Sequence, residues 1–238
     1  MTPLVLLPGM MCDARLFAPQ IAAFGSRAVM VAPIDRHDTV TALADEVLRV
    51  APARFALAGL SMGGIVAMEV IARAPDRIAG LCLMDTNASP ESPAVAALRE
   101  PHIAAVQDGD LRRVMRDEMK PTYLADGPHR GAILDTCMAM AETMGAEVFV
   151  RQSRALQTRP DQRDALRKVT VPTMVLCGAE DRLCPLHRHE VMRDLIPDAS
   201  LCVIPDAGHL PTLEKPAETT AAMKDWMSSV EARECTTR

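Results

Sequence analysis

Residues 55–64 read Phe-Ala-Leu-Ala-Gly-Leu-Ser-Met-Gly-Gly, and this stretch decides the fold. The apolar run 55–58 predicts a short buried strand, and the helical spacing of apolar residues over 62–74 predicts a helix. Between them lies a Gly-x-Ser-x-Gly motif centred on Ser61. A serine at such a junction sits in a strained turn above the strand ends, and the flanking glycines let strand and helix approach closely. We therefore predict that Ser61 is a nucleophile.

Short apolar runs alternate with stretches of helical period along the chain, which is the pattern of parallel strands joined by helices. Each run is continuously apolar, so helices must cover both faces of the sheet. The predicted fold class is therefore α/β, with an open, mostly parallel sheet of about six strands and helices on both faces. The predicted strands are residues 4–7, 28–32, 55–58, 79–84, 173–177 and 201–204.

The alternation breaks between residues 88 and 169, where no strand is predicted. This stretch is too long for a loop, so we expect an inserted helical lid, residues 88–169, on an α/β core formed by residues 1–87 and 170–238. The helices predicted in the lid are 94–106, 111–123, 130–144 and 147–157, and those predicted in the core are 39–50, 62–74, 185–196 and 216–230.

Composition excludes several classes of protein. The 238 residues are 49% apolar and 24% charged, as in an ordinary globular domain. The net charge of -5 and the lack of a long Lys/Arg run argue against nucleic acid as a partner. No apolar stretch approaches the roughly 20 residues of a membrane span, and no basic residue precedes Arg15 as in a secretion signal. We therefore expect a cytoplasmic protein without a membrane partner.

The cysteines predict neither disulfides nor a metal site. There are seven, an odd number, with no Cys-x-x-Cys pair and no Cys/His spacing suited to zinc. Cys82, Cys177 and Cys202 fall inside apolar runs, where a free thiol packs as a small apolar group. We expect no metal and no organic cofactor.

A serine hydroxyl is a weak nucleophile near neutral pH, so it needs a histidine as base. His209 is the predicted base, because it follows the last predicted strand in a short loop that contains Gly208. The remaining five histidines are interpreted as solvated surface residues. These are His37, His102, His129, His187 and His189.

The acid that orients the base should also follow a strand. Asp181 follows the predicted strand 173–177 and is our first choice. Asp85 follows the predicted strand 79–84 and is the alternative acid, unless it caps the turn that it begins. The chain order Ser61, Asp181, His209 is the order that one fold uses for this chemistry.

With these residues in place, the chain resembles the α/β-hydrolases over its whole length. The resemblance is carried by LLPGMMCDARLF (6–17), GLSMGG (59–64), LCGAEDRLCP (176–185) and PDAGHLPTLEKP (205–216). GLSMGG and the size of the lid look most similar to the branch of 3-oxoadipate enol-lactonases and carboxylesterases. Since no two earlier strands precede Leu4, the sheet would be a shortened form of the family's.

The resemblance implies an oxyanion hole formed by the backbone NH groups of Met62 and Met10. Met62 would open a helix, where unpaired NH groups favour negative charge. Many relatives carry His-Gly-x-Gly in the first loop, whereas Pro8-Gly9-Met10-Met11 keeps only the first glycine. The Met10 donor is therefore the less firmly implied of the two.

The predicted activity is that of a serine hydrolase, which cleaves a small-molecule carboxylic ester, thioester or lactone through an acyl-enzyme. Carbon–carbon hydrolysis of a β-diketone and acyl transfer are alternatives with the same three residues. An Asp nucleophile, as in a dehalogenase, is absent from position 61. A ligand-binding protein that only keeps the fold would show a broken triad, and none is visible.

The lid offers candidate residues for the substrate pocket, although methionine at helical spacing more often serves plain packing. These candidates are Met115, Met119, Tyr123, Met138 and Phe149. Arg151 or Arg154 could bind a substrate carboxylate, or could belong to a solvated charged face together with neighbouring arginines. The sequence chooses neither the substrate nor the oligomeric state.

Overall fold

Six parallel strands form one open sheet in the order β2-β1-β3-β4-β5-β6. The computed structural model describes residues 1–236, without the side chain of Pro121. The predicted fold class is confirmed, and each predicted strand is present within two residues of its expected ends. The strands are β1 (Leu4–Leu7), β2 (Val29–Val31), β3 (Phe55–Leu60), β4 (Ile78–Met84), β5 (Thr173–Gly178) and β6 (Ser200–Ile204).

Successive strand residues point to opposite faces, and each face has its own apolar core. Leu4 and Leu6 of β1 belong to one cluster, whereas Val5 and Leu7 belong to the other. All four are fully buried. A strand that is covered on both sides is therefore a continuous apolar run in the sequence.

Helices cover both faces, as predicted. Residues of α2, α3 and α8 pack on the face of Val5 and Leu7, and residues of α1 and α10 pack on the face of Leu4 and Leu6. The helices are α1 (Ala18–Ala23), α2 (Val40–Val50), α3 (Met62–Arg73), α4 (Pro93–Gln107), α5 (Leu111–Arg113), α6 (Arg130–Gln157), α7 (Arg163–Leu166), α8 (Leu186–Leu195), α9 (Pro211–Glu214) and α10 (Pro216–Thr236). Short 3-10 turns lie at Ala14–Phe17, Pro75–Arg77 and Lys120–Thr122.

The segment between β4 and β5 is helical, and its helices differ from the prediction in one place. Instead of one helix over 111–123, the chain forms α5, a π-helical stretch at Val114–Met119 and a 3-10 turn. Pro121 lies in this 3-10 turn and has no NH to donate to a carbonyl of the preceding turn, so a regular α-helix loses a hydrogen bond at this position. The predicted gap between helices 130–144 and 147–157 is present, since Gly145 breaks α6 with a φ of 81°.

None of the helices among residues 1–236 is both long and apolar enough to span a membrane.

The start of α3 packs directly on β1, and Gly63 makes this contact possible. A Cβ on Gly63 would lie 2.0 Å from the backbone oxygen of Leu7. That is far inside van der Waals contact, and the obstacle is backbone, which cannot rotate away. The glycine is therefore a requirement of the close approach between helix and sheet.

We expect Gly63→Ala to lower the free energy of unfolding by about 1–3 kcal/mol, because the added methyl group forces β1 and α3 apart. Gly131→Ala is the matched control, since nothing lies within 4 Å of a Cβ at that helical position. The control should be neutral or stabilised by up to about 1 kcal/mol. Urea titration followed by circular dichroism measures both, and equal stability of the two variants would contradict this account.

Candidate active site

Ser61 lies at the junction of β3 and α3 in a strained backbone conformation. Its φ is 54° and its ψ is -116°, in the left-handed region that residues with side chains rarely adopt. Two contacts with β4 and the loop after it hold the turn: Ser61 N donates to the oxygen of Met84 at 2.8 Å, and the Thr86 hydroxyl donates to the oxygen of Ser61, also at 2.8 Å. The side chain of Ser61 is thereby presented above the carboxyl ends of the strands.

His209 lies beside Ser61, in the loop after β6. Its Nε2 is 2.9 Å from Ser61 Oγ, and its Nδ1 is 2.8 Å from Asp181 Oδ2. The backbone NH of His209 donates to the oxygen of Tyr123 at 2.7 Å, and the two rings meet edge to face with centroids 5.3 Å apart. The side chain of His209 is 3% exposed. Three residues that are distant in sequence therefore form one continuous chain of hydrogen bonds.

Asp181 is held as a charged carboxylate in the loop after β5. Its Oδ1 accepts hydrogen bonds from the backbone NH groups of Leu183 and Cys184 at 2.8 and 3.0 Å. Burial by itself raises the pKa of Asp181, but His209 and these two NH groups outweigh burial and bring the pKa below its ordinary value. Asp181 can therefore stabilise a positive charge on His209.

Asp85 lies next to Asp181 and does not reach His209. Its Oδ1 accepts a hydrogen bond from the backbone NH of Gly178 at 2.9 Å. Burial, followed by the charge of Asp181, raises the pKa of Asp85 well above its ordinary value. The structure thus pairs the imidazole with the first-choice acid, and it leaves the alternative acid buried behind that pair, where its surroundings favour the protonated form.

His189, in α8, is buried, and its interpretation as a solvated surface residue is wrong. It is fully inaccessible, and its Nε2 accepts a hydrogen bond from the backbone NH of Thr86 at 3.1 Å. Burial lowers its pKa to about 4, so the ring is neutral at physiological pH. Its charged sequence neighbours lie on the exposed side of α8, whereas His189 shares the inner side with Met192. The other histidines interpreted in the same way are exposed or half-buried.

The loop after β1 packs against the serine turn. A Cβ on Gly9 would lie 3.5 Å from the Cβ of Ser61. The buried side chain of Gln152 fixes this loop, because its Oε1 accepts from Met11 N at 2.8 Å and its Nε2 donates to the oxygen of Ile34 at 2.9 Å. The sequence gives no signal for Gln152, since its role depends on how α6 packs against the loops after β1 and β2.

The backbone NH groups of Met10 and Met62 belong to these two adjacent turns. Met62 is the first residue of α3, where backbone NH groups have no partner within the helix. Among residues 1–236, no protein acceptor takes the NH of Met10 or Met62. Both amides can therefore donate to a group that carries developing negative charge beside Ser61.

A cavity of about 690 Å³ lies beside this chain of hydrogen bonds, and its wall includes Ser61 and His209. Two of the candidate pocket residues, Met119 and Tyr123, line it. The other three pack in the apolar core and do not line it. They are Met115, Met138 and Phe149.

The two arginines considered for a substrate carboxylate lie elsewhere. Arg151 donates from Nε to the backbone oxygen of Asp35 at 2.9 Å, and Arg154 pairs with Glu100. Neither lines the cavity, and Arg99, Arg159 and Arg188 do. The sequence does not distinguish these three, because an arginine has the same local sequence pattern in solvent as in the wall of a cavity.

Two buried groups of side chains have metal-ligand geometry, with potential ligand atoms within 4.8 Å of one another. They are Asp181, Cys184 and His209, and Asp85, Asp181 and His189. Burial raises the pKa of Cys184 to about 12, so the thiol is protonated and a weak ligand. A metal ion at either place would compete with the hydrogen bonds that Asp181 already makes.

The sequence profile of the alpha/beta hydrolase family matches residues 4–222. The chain belongs to the alpha/beta hydrolase family. It is 26% identical to a pimeloyl-[acyl-carrier protein] methyl ester esterase of Aromatoleum aromaticum, over 92% of this chain and 90% of that protein. The resemblance to α/β-hydrolases inferred from sequence motifs is thus confirmed.

Solved structures agree with this assignment. A thermophilic esterase from Thermogutta terrifontis superimposes with a TM-score of 0.88 and 29% identity, covering 97% of this chain and 90% of that one. The enol-lactonase from Burkholderia xenovorans LB400 has the same fold, with a TM-score of 0.82 and 22% identity over 96% of this alpha/beta hydrolase and 92% of that chain.

The buried carboxyl group of Asp85 predicts a specific pH dependence of stability. The folded chain keeps a proton on Asp85 that the unfolded chain releases above about pH 4, so this residue lowers stability as pH rises towards its raised folded-state pKa. Asp85→Asn removes this contribution. The free energy of unfolding of the variant, relative to the wild type, should rise with pH by up to about 1.4 kcal/mol per unit.

Urea titrations at several pH values between about 5 and 8 measure this difference. The exposed residue Asp117 provides the control, and the stability of Asp117→Asn relative to the wild type should stay constant. A difference for Asp85→Asn that is equally flat would show that Asp85 is ionised in the folded protein.

Proposed function

We propose that this alpha/beta hydrolase is a serine hydrolase that cleaves a carboxylic ester, thioester or lactone through an acyl-enzyme. The observation that carries the proposal is the chain of short contacts from Ser61 Oγ through His209 to Asp181, at 2.9 and 2.8 Å. The strained turn at Ser61 and the adjacent cavity support it, since a nucleophile must be both fixed and accessible. The esterases among the relatives are consistent with this chemistry.

In the proposed acylation step, Ser61 Oγ forms a bond to the carbonyl carbon while its proton passes to His209 Nε2. The carbonyl oxygen becomes an oxyanion, and the NH groups of Met10 and Met62 donate to it. The tetrahedral intermediate then breaks its bond to the leaving oxygen or sulfur, which takes the proton from His209. Asp181 remains ionised throughout and stabilises the imidazolium.

Deacylation repeats the sequence with water as the nucleophile. His209 Nε2 takes a proton from water, the water oxygen attacks the acyl carbon, and the oxyanion again forms between the two NH groups. Collapse breaks the bond to Ser61 Oγ, which takes the proton back from His209. The acid is released, and the triad returns to its starting state.

The helical segment 88–169 is proposed to be the lid over the core formed by residues 1–87 and 170–238. Its residues Met119 and Tyr123 contribute to the cavity wall. The ammonium of Lys120 lies 4.2 Å from the centre of the Tyr123 ring, which in turn contacts His209. Substrate binding thus involves the same segment that supports the proposed base.

Hydrolysis of 4-nitrophenyl butyrate tests the proposal most simply. We expect Ser61→Ala and His209→Gln to lose at least about a thousandfold in kcat, because neither nucleophile nor base can be replaced by neighbours. The exposed residues Ser228 and His129 offer matched controls, and Ser228→Ala and His129→Gln should retain wild-type rates. Full activity of Ser61→Ala would rule out the proposed mechanism.

The choice of acid has its own test. Asp181→Asn should lower kcat by about a hundredfold or more, because an amide does not stabilise the imidazolium and favours the wrong tautomer. Asp85→Asn should stay within about tenfold of the wild type, because the amide can still accept from Gly178. A larger loss in Asp85→Asn than in Asp181→Asn would reverse the assignment.

A further inference from the structure

Three charged side chains form part of the wall of the cavity that Ser61 also lines. Glu91 precedes α4, Arg99 lies within α4, and Arg159 follows the end of α6. The side chain of Glu91 is 2% exposed, that of Arg159 is 10% exposed and that of Arg99 is 18% exposed. Charged groups this deeply buried are unusual unless they are paired or bind a ligand.

One carboxylate serves both guanidinium groups. Arg99 donates from Nε and Nη2 to the two carboxylate oxygens of Glu91, at 2.5 and 2.8 Å. Arg159 donates from Nη1 to Glu91 at 3.1 Å and from Nε to the backbone oxygen of Ser89 at 3.0 Å. The cluster therefore carries one uncompensated positive charge.

Each guanidinium also keeps a nitrogen that no oxygen in the described part of the chain, residues 1–236, accepts from. Arg99 Nη1 lies 4.0 Å from the sulfur of Met10, and Met10 belongs to the loop that packs on Ser61. Arg159 Nη2 has no carboxylate or carbonyl acceptor among residues 1–236. Burial lowers the pKa of Arg159, which shows that its charge is poorly solvated. Unused donors and excess charge thus lie at one wall of the cavity.

Other charges of the cavity do not cancel this excess. Glu118 also lines the cavity, but it pairs with His102 at 2.8 Å and with Arg113. Arg188 lines the cavity from an exposed position and adds positive charge. An anion that entered the cavity would therefore meet a positive wall.

We propose that Arg99 and Arg159 bind a carboxylate group of the substrate, so that the preferred substrates are esters, thioesters or lactones that carry a second, ionised carboxyl group. Guanidinium groups match a carboxylate in shape and charge, and hydrogen bonds between ions are stronger in a partly buried site. The inference rests on the proposed hydrolase function, which it extends to a class of substrate.

A purely structural role for the cluster predicts different behaviour. Arg99 and Arg159 connect α4, the loop at Ser89 and the end of α6, so losing either one would disturb all substrates equally. Recognition of a carboxylate instead changes the rate for charged substrates only. Selectivity between matched substrates therefore separates the two roles.

Two pairs of substrates measure this selectivity, with turnover followed by proton release in a pH-stat. In the first pair, monomethyl adipate carries a carboxylate on the acyl side of the ester, and methyl hexanoate is its neutral partner. In the second pair, the 6-acetoxyhexanoate anion carries a carboxylate on the alcohol side, and hexyl acetate is its neutral partner. For the wild type, we expect kcat/KM for the charged member of at least one pair to exceed that of its neutral partner by about tenfold or more.

Variants then assign the preference to residues. Arg99→Gln and Arg159→Gln should each lower kcat/KM for the preferred charged substrate by about 10- to 100-fold, mainly through KM, and leave the neutral partner within about threefold. Arg99→Lys should retain part of the preference for the charged substrate that Arg99→Gln loses. Glu91→Gln should increase this preference, since the cluster gains net positive charge. Arg154→Gln is the control, because Arg154 lies on α6 outside the cavity and pairs with Glu100.

No preference for a charged substrate in either pair would overturn the inference, as would equal losses for charged and neutral substrates in Arg99→Gln. If the arginine variants fail to fold, the wild-type ratios alone decide, and sodium chloride should reduce them. Failure of the proposed function is a separate result: turnover of the neutral esters would then persist in Ser61→Ala.

Discussion

The strained turn at Ser61 is the constraint on which the rest of the structure depends. A side chain is held there at positive φ, and this costs conformational energy that neighbouring contacts must offset. Gly63 allows α3 to lie against β1, and Thr86 and Met84 hold the turn from the side of β4. The turn therefore depends on the neighbouring strands β1 and β4 of the parallel sheet. The alternation of strands and helices along the chain forms that sheet.

Below the turn, the site contains a layer of buried ionisable groups whose charges are set by their surroundings. Asp181 stays charged because His209 and two backbone NH groups stabilise the carboxylate. Asp85 and His189 are buried nearby, and burial raises the pKa of the first and lowers that of the second, which favours the neutral form of each. The negative charge of Asp181 lies against the imidazole. A second charged carboxylate in the same place would repel it.

The elements that the sequence predicts best are those defined by local pattern. Ser61, Asp181 and His209 could each be chosen because each follows an apolar strand, and parallel strands bring their carboxyl ends to one edge. The burial of His189, the role of Gln152 and the positions of Met115, Met138 and Phe149 depend on how helices pack across the chain, which periodicity does not specify. Arg99 and Arg159 were missed for the same reason, since an arginine in the segment between β4 and β5 has the same sequence signature in solvent as in a cavity.

The central claim is that the Ser61 hydroxyl becomes covalently acylated. Its most direct test is mass spectrometry of the protein quenched during turnover of a hindered ester such as 4-nitrophenyl trimethylacetate, which slows deacylation. We expect one trimethylacetyl group on the peptide that contains Ser61. An ester that is turned over while the acyl group appears on another residue, or on none, would contradict it.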